Sequence, residues 1–366
     1  MAADARAARQ AALVRAFGPQ EIDALLVTSL ANVRYLTGFS GSAALVVVTS
    51  RETLLVTDFR YEQQAREEAE PAARVVVERT SVWERLFREL GSLRGVTCIG
   101  FEAHAVTVKD AERLAKSGNG GARRWKATGE LVEGLRVQKD ASEVAAIRGA
   151  ASLAARALHT TLAQVRVGMT ERAISGVLEG ELRRLGSEEH PFSPIVASGP
   201  RAALPHARTS LRPLAAGDWL LIDFGAEVDG YCADLTRTVV VGARASDAQR
   251  ALYDLVRAAQ TRAREQIRAG MTGREADALA RDLIESRGFG DAFGHSLGHG
   301  LGLEVHEAPR LSKTNADPLP VGAVVTIEPG VYLAGQGGVR IEDDVHLGPN
   351  GPELLSDGAT ELLELT

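Results

Sequence analysis

The chain repeats itself, and the repeat limits what it can fold into. RVGMTERAISGVLEGELRRLG (166–186) aligns without a gap on RAGMTGREADALARDLIESRG (268–288). Gly168, Met169, Thr170 and Gly186 meet Gly270, Met271, Thr272 and Gly288 at a constant offset of 102 positions. Thr before a periodic run and Gly after it mark the start and stop of a helix, so each copy predicts a capped helix. Another helical stretch precedes each copy: an Ala-rich run capped by Ser142 and reaching about Gln164, and Ser246–Ala269. The segments that follow also correspond, WLLIDFGAEVDGYCADLTRTVVV (219–241) and VVTIEPGVYLAGQGGVRIEDDVHL (324–347). Each reads as an apolar strand ending in a carboxylate, a Gly-containing turn, and a second strand with another carboxylate. The expectation is two α/β halves related by pseudo-twofold symmetry, each giving a hairpin with two acids.

Those acids are Asp223 and Asp234 in one hairpin, Glu328 and Glu342 in the other. An acid inside an apolar strand costs several kcal/mol unless something compensates it. Period-two geometry puts Asp234, Thr236 and Thr238 on one face, and likewise Arg340, Glu342 and Asp344. Ordinary ion pairing would explain one such acid, through Arg237 or Arg340. Four acids at matching places are too many for two arginines, which points to a divalent cation, and better to two.

A histidine source lies between the hairpins. GHSLGHGLGLEVHE (294–307) carries His295, His299 and His306 among four glycines. One histidine alone usually packs or sits on the surface; three so close, where glycine permits near backbone approach, favour function. Oxygen-rich ligation with a single imidazole suits Mn²⁺, Fe²⁺ or Co²⁺ better than a structural zinc site. Neither H-E-x-x-H nor C-x-x-C occurs.

Residues 1–133 read differently. Strand-like runs at Ala24–Thr28, Ala44–Thr49, Thr53–Thr57, Arg74–Val77 and Val96–Ile99 alternate with helix-like stretches at Tyr61–Glu70, Ser81–Leu90 and Thr107–Lys116. Such alternation predicts a sheet flanked by helices. The glycine cluster at 118–121 follows no strand and lacks a GK[ST] ending, so it reads as a turn. The pattern changes around Leu135–Asp140, which divides the chain into domains at 1–134 and 135–366.

DFG…DLTRT, GHGLGLEVHE, EPGVY and RIED together resemble the motif set of the pita-bread metallopeptidases. That family includes Xaa-Pro dipeptidase (prolidase), Xaa-Pro aminopeptidase, methionine aminopeptidase and creatinase. The resemblance covers about 140–366, and NVRYLTGFSGS (32–42) resembles the N-terminal domain of the prolyl branch. It implies an α/β (α+β) chain with an N-terminal creatinase/prolidase-like domain and a C-terminal pita-bread domain. It also implies two divalent metal ions, manganese first, with Co²⁺, Fe²⁺ or Zn²⁺ as alternatives. By that resemblance Asp223 chelates one metal, Asp234 and Glu342 bridge both, and His299 and Glu328 bind the other. His206, in LPHAR, and His306 match substrate-contacting histidines with catalytic roles, and His295 a histidine lining the same pocket. Arg340 is expected to pair with a bridging acid. In the chemistry so implied, a hydroxide shared by the metals attacks the scissile carbonyl, and Glu328 shuttles the proton to the leaving nitrogen.

Within the family, the full ligand set argues against a creatinase-like relative, and the extra N-terminal domain against a methionine aminopeptidase. ASGPRAALPHAR (197–208) resembles the smaller bacterial Xaa-Pro aminopeptidases, so cleavage of the Xaa-Pro bond at the N-terminus of peptides is expected, with an Xaa-Pro dipeptidase as the alternative. Expected partners are small peptides with proline second, and a further copy of the chain in a dimer or tetramer. Two readings come from other classes. GHSLG satisfies G-x-S-x-G and offers Ser296 as a serine nucleophile, but its flanks are not strand and helix. A non-catalytic binding protein would have no need of the intact ligand set.

Composition adds exclusions. Lys+Arg is 42 against Asp+Glu 48, a net charge of −6, without the basic stripe a nucleic-acid partner favours. No stretch approaches 18 apolar residues, and the Arg-bearing N-terminus has no apolar core of a leader, so neither membrane span nor signal peptide is expected. Two cysteines, Cys98 and Cys232, make no disulfide framework, and a cytoplasmic location is expected. Cys232 and Trp83, Trp125 and Trp219 read as packing; His104, His159 and His190 stand outside any constellation. His346 shares the Glu342 face and is a candidate to support it.

Overall fold

A computed structural model describes residues 3–118, 123–356 and 358–366. Beyond its first residue, the glycine cluster at 118–121 lies outside the described residues. The chain divides into two compact units, Met1–Arg136 and Val137–Thr366.

In the first unit, six strands are β1 (Ala24–Val27), β2 (Ala44–Thr49), β3 (Thr53–Asp58), β4 (Arg74–Glu78), β5 (Cys98–Glu102) and β6 (Arg124–Thr128). They form one sheet in the order β4-β3-β2-β1-β5-β6. β2 runs antiparallel to β1 and β3, and the other pairs are parallel. Leu26, Val47, Val56 and Ile99 pack with the helical Leu86 and Leu114 in its core. The expected helices are present at Glu62–Ala69, Val82–Leu90 and Val108–Gly118. The fifth strand starts later than Val96, and β6 is an addition: RWKAT is an edge strand with two charges, a pattern that does not alternate cleanly. The helices Ala3–Arg15 and Leu30–Thr37 are also additions. Within NVRYLTGF, Asn32 is buried, donates to Glu102 (2.6 Å) and accepts from Arg136 (2.7 Å), so it works inside this unit's packing.

The second unit starts with the helix Ala141–Leu162. Its cap is Asp140, not Ser142. The Asp140 carboxylate accepts from the backbone N–H groups of Ser142 and Glu143, while the Glu143 side chain accepts from the N–H of Asp140, a capping box. Ser142 sits one residue inside the helix, and its hydroxyl donates to Asp140 (2.6 Å). Three further helices follow, Glu171–Leu185, Asp247–Gln266 and Gly273–Ser286. The strands are β7 (Ile195–Ser198), β8 (Asp218–Val228), β9 (Tyr231–Val241), β10 (Gly298–Gly300), β11 (Glu307–Leu311), β12 (Val324–Ile327), β13 (Gly330–Leu333), β14 (Gly337–Arg340), β15 (Asp343–Gly348), β16 (Gly351–Leu354) and β17 (Glu364–Leu365). They form sheets β17-β9-β8-β7, β11-β10-β12-β15-β16 and β13-β14.

The repeat is present in detail. Thr170 caps one repeat helix through Ala173 N–H, and Thr272 caps the other through Glu275 N–H. Gly168 (φ 89°) donates to Leu214 O at 2.9 Å, and Gly270 (φ 88°) donates to Leu319 O at 2.8 Å. Isolated bridges join Thr170 to Pro213 and Thr272 to Pro318. The hairpins differ. β8 and β9 pair without interruption through an Asp229–Gly230 turn in which both residues have positive φ, the tight-turn geometry that suits strand twist. In the second, β12 pairs directly with β15, and a small β13–β14 hairpin is inserted between them.

One face of β8–β9, with Leu220, Ile222, Phe224, Ala233 and Leu235, packs on Leu153, Leu158, Ile174 and Leu178 of two helices. The alternation places Asp223, Asp234, Thr236 and Thr238 on the opposite face, toward the second half. Replacing Asp140 by Ala should cost about 1 kcal/mol of unfolding free energy in urea titration, the usual worth of an N-cap. Ser142→Ala should cost much less, and the reverse ranking would restore Ser142 as the cap.

Candidate metal centre

Two facing hairpins, one β-bulged strand and a loop bring the acids and histidines together. Asp223 lies on β8 opposite Thr236, and Asp234 on β9 opposite Gly225. Glu328 follows β12, and Glu342 stands between β14 and β15. The halves are stitched here: Glu342 N–H donates to Thr236 O (3.1 Å), Thr236 Oγ1 donates to Glu342 Oε2 (2.6 Å), and Thr238 Oγ1 donates to Arg340 O (2.9 Å). Asp223, Asp234, His299, Arg340 and Glu342 are all less than a tenth exposed.

His299 lies on β10 between Gly298 and Gly300. A Cβ on Gly298 would come within 2.0 Å of Thr326 O, and one on Gly300 within 2.1 Å of Ala308 O. Only glycines allow this strand to lie so close to its neighbours, which sets the histidine at its depth. His299 Nδ1 is 3.0 Å from Gly300 O. A carbonyl only accepts, so Nδ1 carries the proton and Nε2 turns a lone pair toward Asp234 Oδ2 (3.7 Å) and Glu328 Oε1 (3.5 Å). One ligand atom each from Asp234, His299 and Glu342 lies within 4.8 Å of the others.

The charges do not balance within the protein. Arg340 is the one guanidinium among the acids, and its Nη2 donates to Asp223 Oδ2 at 2.5 Å. This corrects the expected pairing with a bridging acid: Asp234 and Glu342 are not its ion-pair partners, because Nε is engaged by Thr236 Oγ1 (3.0 Å) and Nη1 by Tyr332 Oη (2.8 Å). Arg237 gives no help either, since it pairs with Asp343 (2.8 Å) and donates to the backbone of Glu342. Among the described residues, Asp223 Oδ1 and Asp234 Oδ1 are buried and find no hydrogen-bond partner. Burial, and then the neighbouring acids Glu342, Asp223 and Glu328, pushes the Asp234 carboxyl well above the usual carboxylate range. Burial does the same to Glu342, seconded by Glu328, and lifts Glu328 to about 8. Burial also raises Asp223, though the Arg340 charge beside it opposes the rise. Orphaned carboxylate oxygens, a lone imidazole nitrogen and surplus negative charge fit divalent cations.

These groups open on a cavity of about 570 Å³, lined also by His206, His295, Ser296, His306, Arg310 and Phe192. His306 is exposed at its rim, with its ring centroid 4.5 Å from that of His299. His206 is likewise exposed on the loop after β7. Burial depresses His295 and His299 to about 4 and lowers His306, so all three imidazoles are neutral at pH 7. His346 lies elsewhere, bonded to Glu353 (3.1 Å) at the outer edge of its sheet, and does not support Glu342. Two residues around the site escaped the sequence reading. Tyr332 links His295 Nε2 (2.9 Å) to Arg340, and EPGVY contained it without signalling a role. Arg310 lines the cavity, exposed, and among the described residues its guanidinium forms no ion pair. Ser296 follows a short 3-10 turn (Gly290–Ala292) and precedes β10, not the strand–turn–helix of a nucleophile elbow. Cys232 is buried, as expected of packing.

Comparison with known proteins agrees with this geometry. A family model described as metallopeptidase family M24 matches residues 145–349, and one described as the creatinase/prolidase N-terminal domain matches residues 9–138. An Xaa-Pro dipeptidase from Pyrococcus furiosus is 35% identical over 354 residues, 96% of this chain and 98% of its own length. The solved structure of an Xaa-Pro dipeptidase from Bacillus anthracis superposes with a TM-score of 0.93 at 38% identity, covering 98% of this chain and all of that one. That of an X-Pro aminopeptidase from Thermotoga maritima gives a TM-score of 0.89 at 36% identity, covering 97% and 99%. The expected architecture, a creatinase/prolidase-like domain followed by a pita-bread domain, is borne out. Among the described residues, no helix is long and apolar enough to cross a membrane.

The raised acids set a pH dependence. In metal-free protein Glu328 keeps a proton that the unfolded chain releases near its ordinary 4.5. Its contribution to stability is therefore full below that pH and is lost as pH rises toward about 8. Metal competes with those protons, so the stabilisation by Mn²⁺, read as the urea midpoint of loaded against chelator-treated protein, should grow between pH 5 and pH 8. A pH-independent difference would argue against metal binding at these acids.

Proposed function

The chain belongs to metallopeptidase family M24, and on that footing we propose that it hydrolyses the Xaa-Pro bond of small peptides, with Xaa-Pro dipeptides preferred. The convergence of Asp223, Asp234, His299, Glu328 and Glu342 with His206, His295 and His306 around one cavity carries this reading. Two divalent ions, manganese first, would be held by those five ligands. When bound they supply positive charge beside the scissile carbonyl and acidify water at neutral pH.

The protein's own groups do the rest. Glu328, a carboxylate at the cavity beside the histidines, is suited to take a proton and pass it to the leaving nitrogen. An Xaa-Pro nitrogen has no N–H to be held, so recognition falls to ring shape and to the carbonyl oxygens. His206 and His306, exposed on the cavity wall, offer N–H donors to those oxygens. His295 walls the same space, and Arg340 holds Asp223 in place.

Arg310 supports the dipeptide preference. A charge without an ion-pair partner at the cavity suits a free carboxylate one residue past the scissile bond, which a dipeptide has and a longer peptide lacks. The dipeptidases of P. furiosus and B. anthracis point the same way. The second reading, an Xaa-Pro aminopeptidase acting on longer peptides, draws on the likeness of 197–208 to that class and on the T. maritima relative. In either case the active form is proposed to be a cytoplasmic homo-oligomer, a dimer or tetramer.

Manganese-loaded protein should cleave Ala-Pro and leave Ala-Ala of equal length nearly untouched; equal rates would remove the prolyl assignment. Asp234→Asn should abolish activity and lose metal. Arg310→Ala should lower kcat/KM for Ala-Pro by about ten- to a hundred-fold, the worth of a charge-assisted hydrogen bond, and hardly alter hydrolysis of Ala-Pro amide. If Ala-Pro-Gly is the better substrate and Arg310→Ala is neutral for both, the aminopeptidase reading holds instead.

A further inference from the structure

Glu171 is fully buried, yet it lies far from the carboxylates of the metal centre in sequence and is not among the cavity-lining residues. It is the first residue of the helix Glu171–Leu185. Its carboxylate accepts from both ends of the loop that carries His206. On the near side, Ser198 donates through N–H (2.8 Å) and Oγ (2.9 Å) to Oε1. On the far side, Ser210 donates through N–H (2.9 Å) and Oγ (2.6 Å) to Oε2. Arg201, inside the loop, donates Nε to the same carboxylate (3.1 Å) and Nη2 to Arg208 O (2.5 Å). One carboxyl group thus closes the ring of chain 198–210, with His206 at its cavity side.

The repeat supplies an internal control. The same loop closure occurs in the second half: Glu171 N–H to Arg212 O and Arg172 N–H to Ser210 O correspond to Gly273 N–H to Asp317 O and Arg274 N–H to Asn315 O. The residue matching Glu171 is Gly273. A Cβ there would lie 2.2 Å from Arg310 O, so the second loop packs directly on the backbone. The loop of the second half is therefore closed without a carboxylate at the position of Glu171. The fold of the repeat does not call for Glu171; the His206 loop does, because the N–H and O–H groups of buried Ser198 and half-buried Ser210 must be satisfied. Among the pairs named here, Arg201 is the one cation on this carboxylate, and the multiple hydrogen bonds make it a stiff joint.

From this we infer that Glu171 is a positioning residue, which sets His206 against substrate by pinning both ends of its loop. The inference rests on the reading that His206 faces substrate, and it adds the means by which an exposed loop histidine is held. A second contact works in the same direction: Pro205 O accepts from Arg340 Nη1 (3.3 Å), tying the loop to the residue that holds Asp223.

A double-mutant cycle tests it on the manganese-loaded full chain. Glu171→Gln keeps size but turns one acceptor into a donor facing Ser198 or Ser210. It should lower kcat/KM for Ala-Pro by about tenfold or more, since misplacement of about 1 Å can cost a hundred-fold, with metal content unchanged. In a His206→Ala background the same substitution should change kcat/KM by less than about twofold, since coupled residues are not additive. A purely structural Glu171 would lower the urea midpoint equally in both backgrounds and multiply with His206→Ala in kcat/KM, which would overturn the inference. Should Glu171→Gln fail to fold, Ser210→Ala removes a single hydroxyl donor and is read in the same cycle. The His206 ring proton resonance, assigned by its loss in His206→Ala, gives a readout that needs no turnover. It should shift in Glu171→Gln; an unmoved resonance rejects the inference, whereas inactivity of the parent protein toward Ala-Pro rejects only the proposed function.

Discussion

Four carboxylates meet one guanidinium in the interior of the second unit, and the local structure is arranged around that imbalance. Carboxylates near one another in a low dielectric repel, and each is denied water. Arg340 answers one of them, Asp223. Hydroxyls answer part of the rest: Thr236 serves Glu342, and Thr326 reaches toward Glu328 at 3.4 Å. Asp344, also fully buried, accepts the N–H of Asp234 (3.2 Å) but has a second oxygen with no hydrogen-bond partner, and burial pushes it well above the carboxylate range. Such a cluster persists because the backbone on which it stands is over-determined. β8 and β9 pair over their whole length, their far face is packed on two helices, and the near face is bonded to the second half at Thr236 and Thr238. The apolar packing holds a charge arrangement that favours dispersal unless cations enter.

Symmetry explains how so many acids arrive together, and its breaking explains why they are useful. The capped helices and positive-φ glycines recur in both halves with nearly the same angles. The hairpins do not. Insertion of β13–β14 into the second one carries Tyr332 and Arg340 to the centre, where the first half has only a tight Asp–Gly turn. The loops ahead of Pro213 and Pro318 differ as well. The first carries His206 and is held by Glu171, whereas in the second half Arg310 sits on β11 and its backbone lies against Gly273. A histidine and an arginine thus reach the cavity from corresponding segments of the two halves.

How much of this was legible in the sequence depended on range. The apolar runs of β1 to β3 declare themselves because each is a short stretch rich in Val and Leu buried inside a sheet. The repeat was visible because its marks are Thr and Gly, whose preferences are local. The metal-centre acids stood out because a carboxylate inside an apolar strand contradicts its surroundings. What escaped depends on contacts across the fold. RWKAT becomes a strand only by pairing with β5. Asp140 displaced Ser142 as cap because the reciprocal bond to Glu143 fixes the frame two residues earlier than the hydroxyl suggests. The partner of Arg340 could not be read from RIED, because the choice of Asp223 follows from Tyr332 and Thr236 occupying its other nitrogens. Tyr332 and Arg310 belong to no periodic pattern; they matter by position alone.

Hydrogen-bond partners separate histidines that the sequence presents as equals. His295 is engaged at both nitrogens: Nδ1 donates to Ser296 O (2.8 Å), and Nε2 accepts from the Tyr332 hydroxyl (2.9 Å), which itself accepts from Arg340. Neither nitrogen is left for a cation or a proton transfer, so the ring presents carbon edges and a face to the cavity, a wall for an apolar group. His299 uses only Nδ1 for structure and keeps Nε2 among the acids. His306, exposed at the rim, stands against the His299 ring with its own nitrogens outside that chain of bonds. Three imidazoles within 295–306 are thereby a wall, a nitrogen turned to the acids and an exposed ring at the rim. The difference follows from what stands opposite each ring, a tyrosine, a carboxylate cluster and open space, so the chemistry of GHSLGHGLGLEVHE is decided by strands that lie elsewhere in the chain.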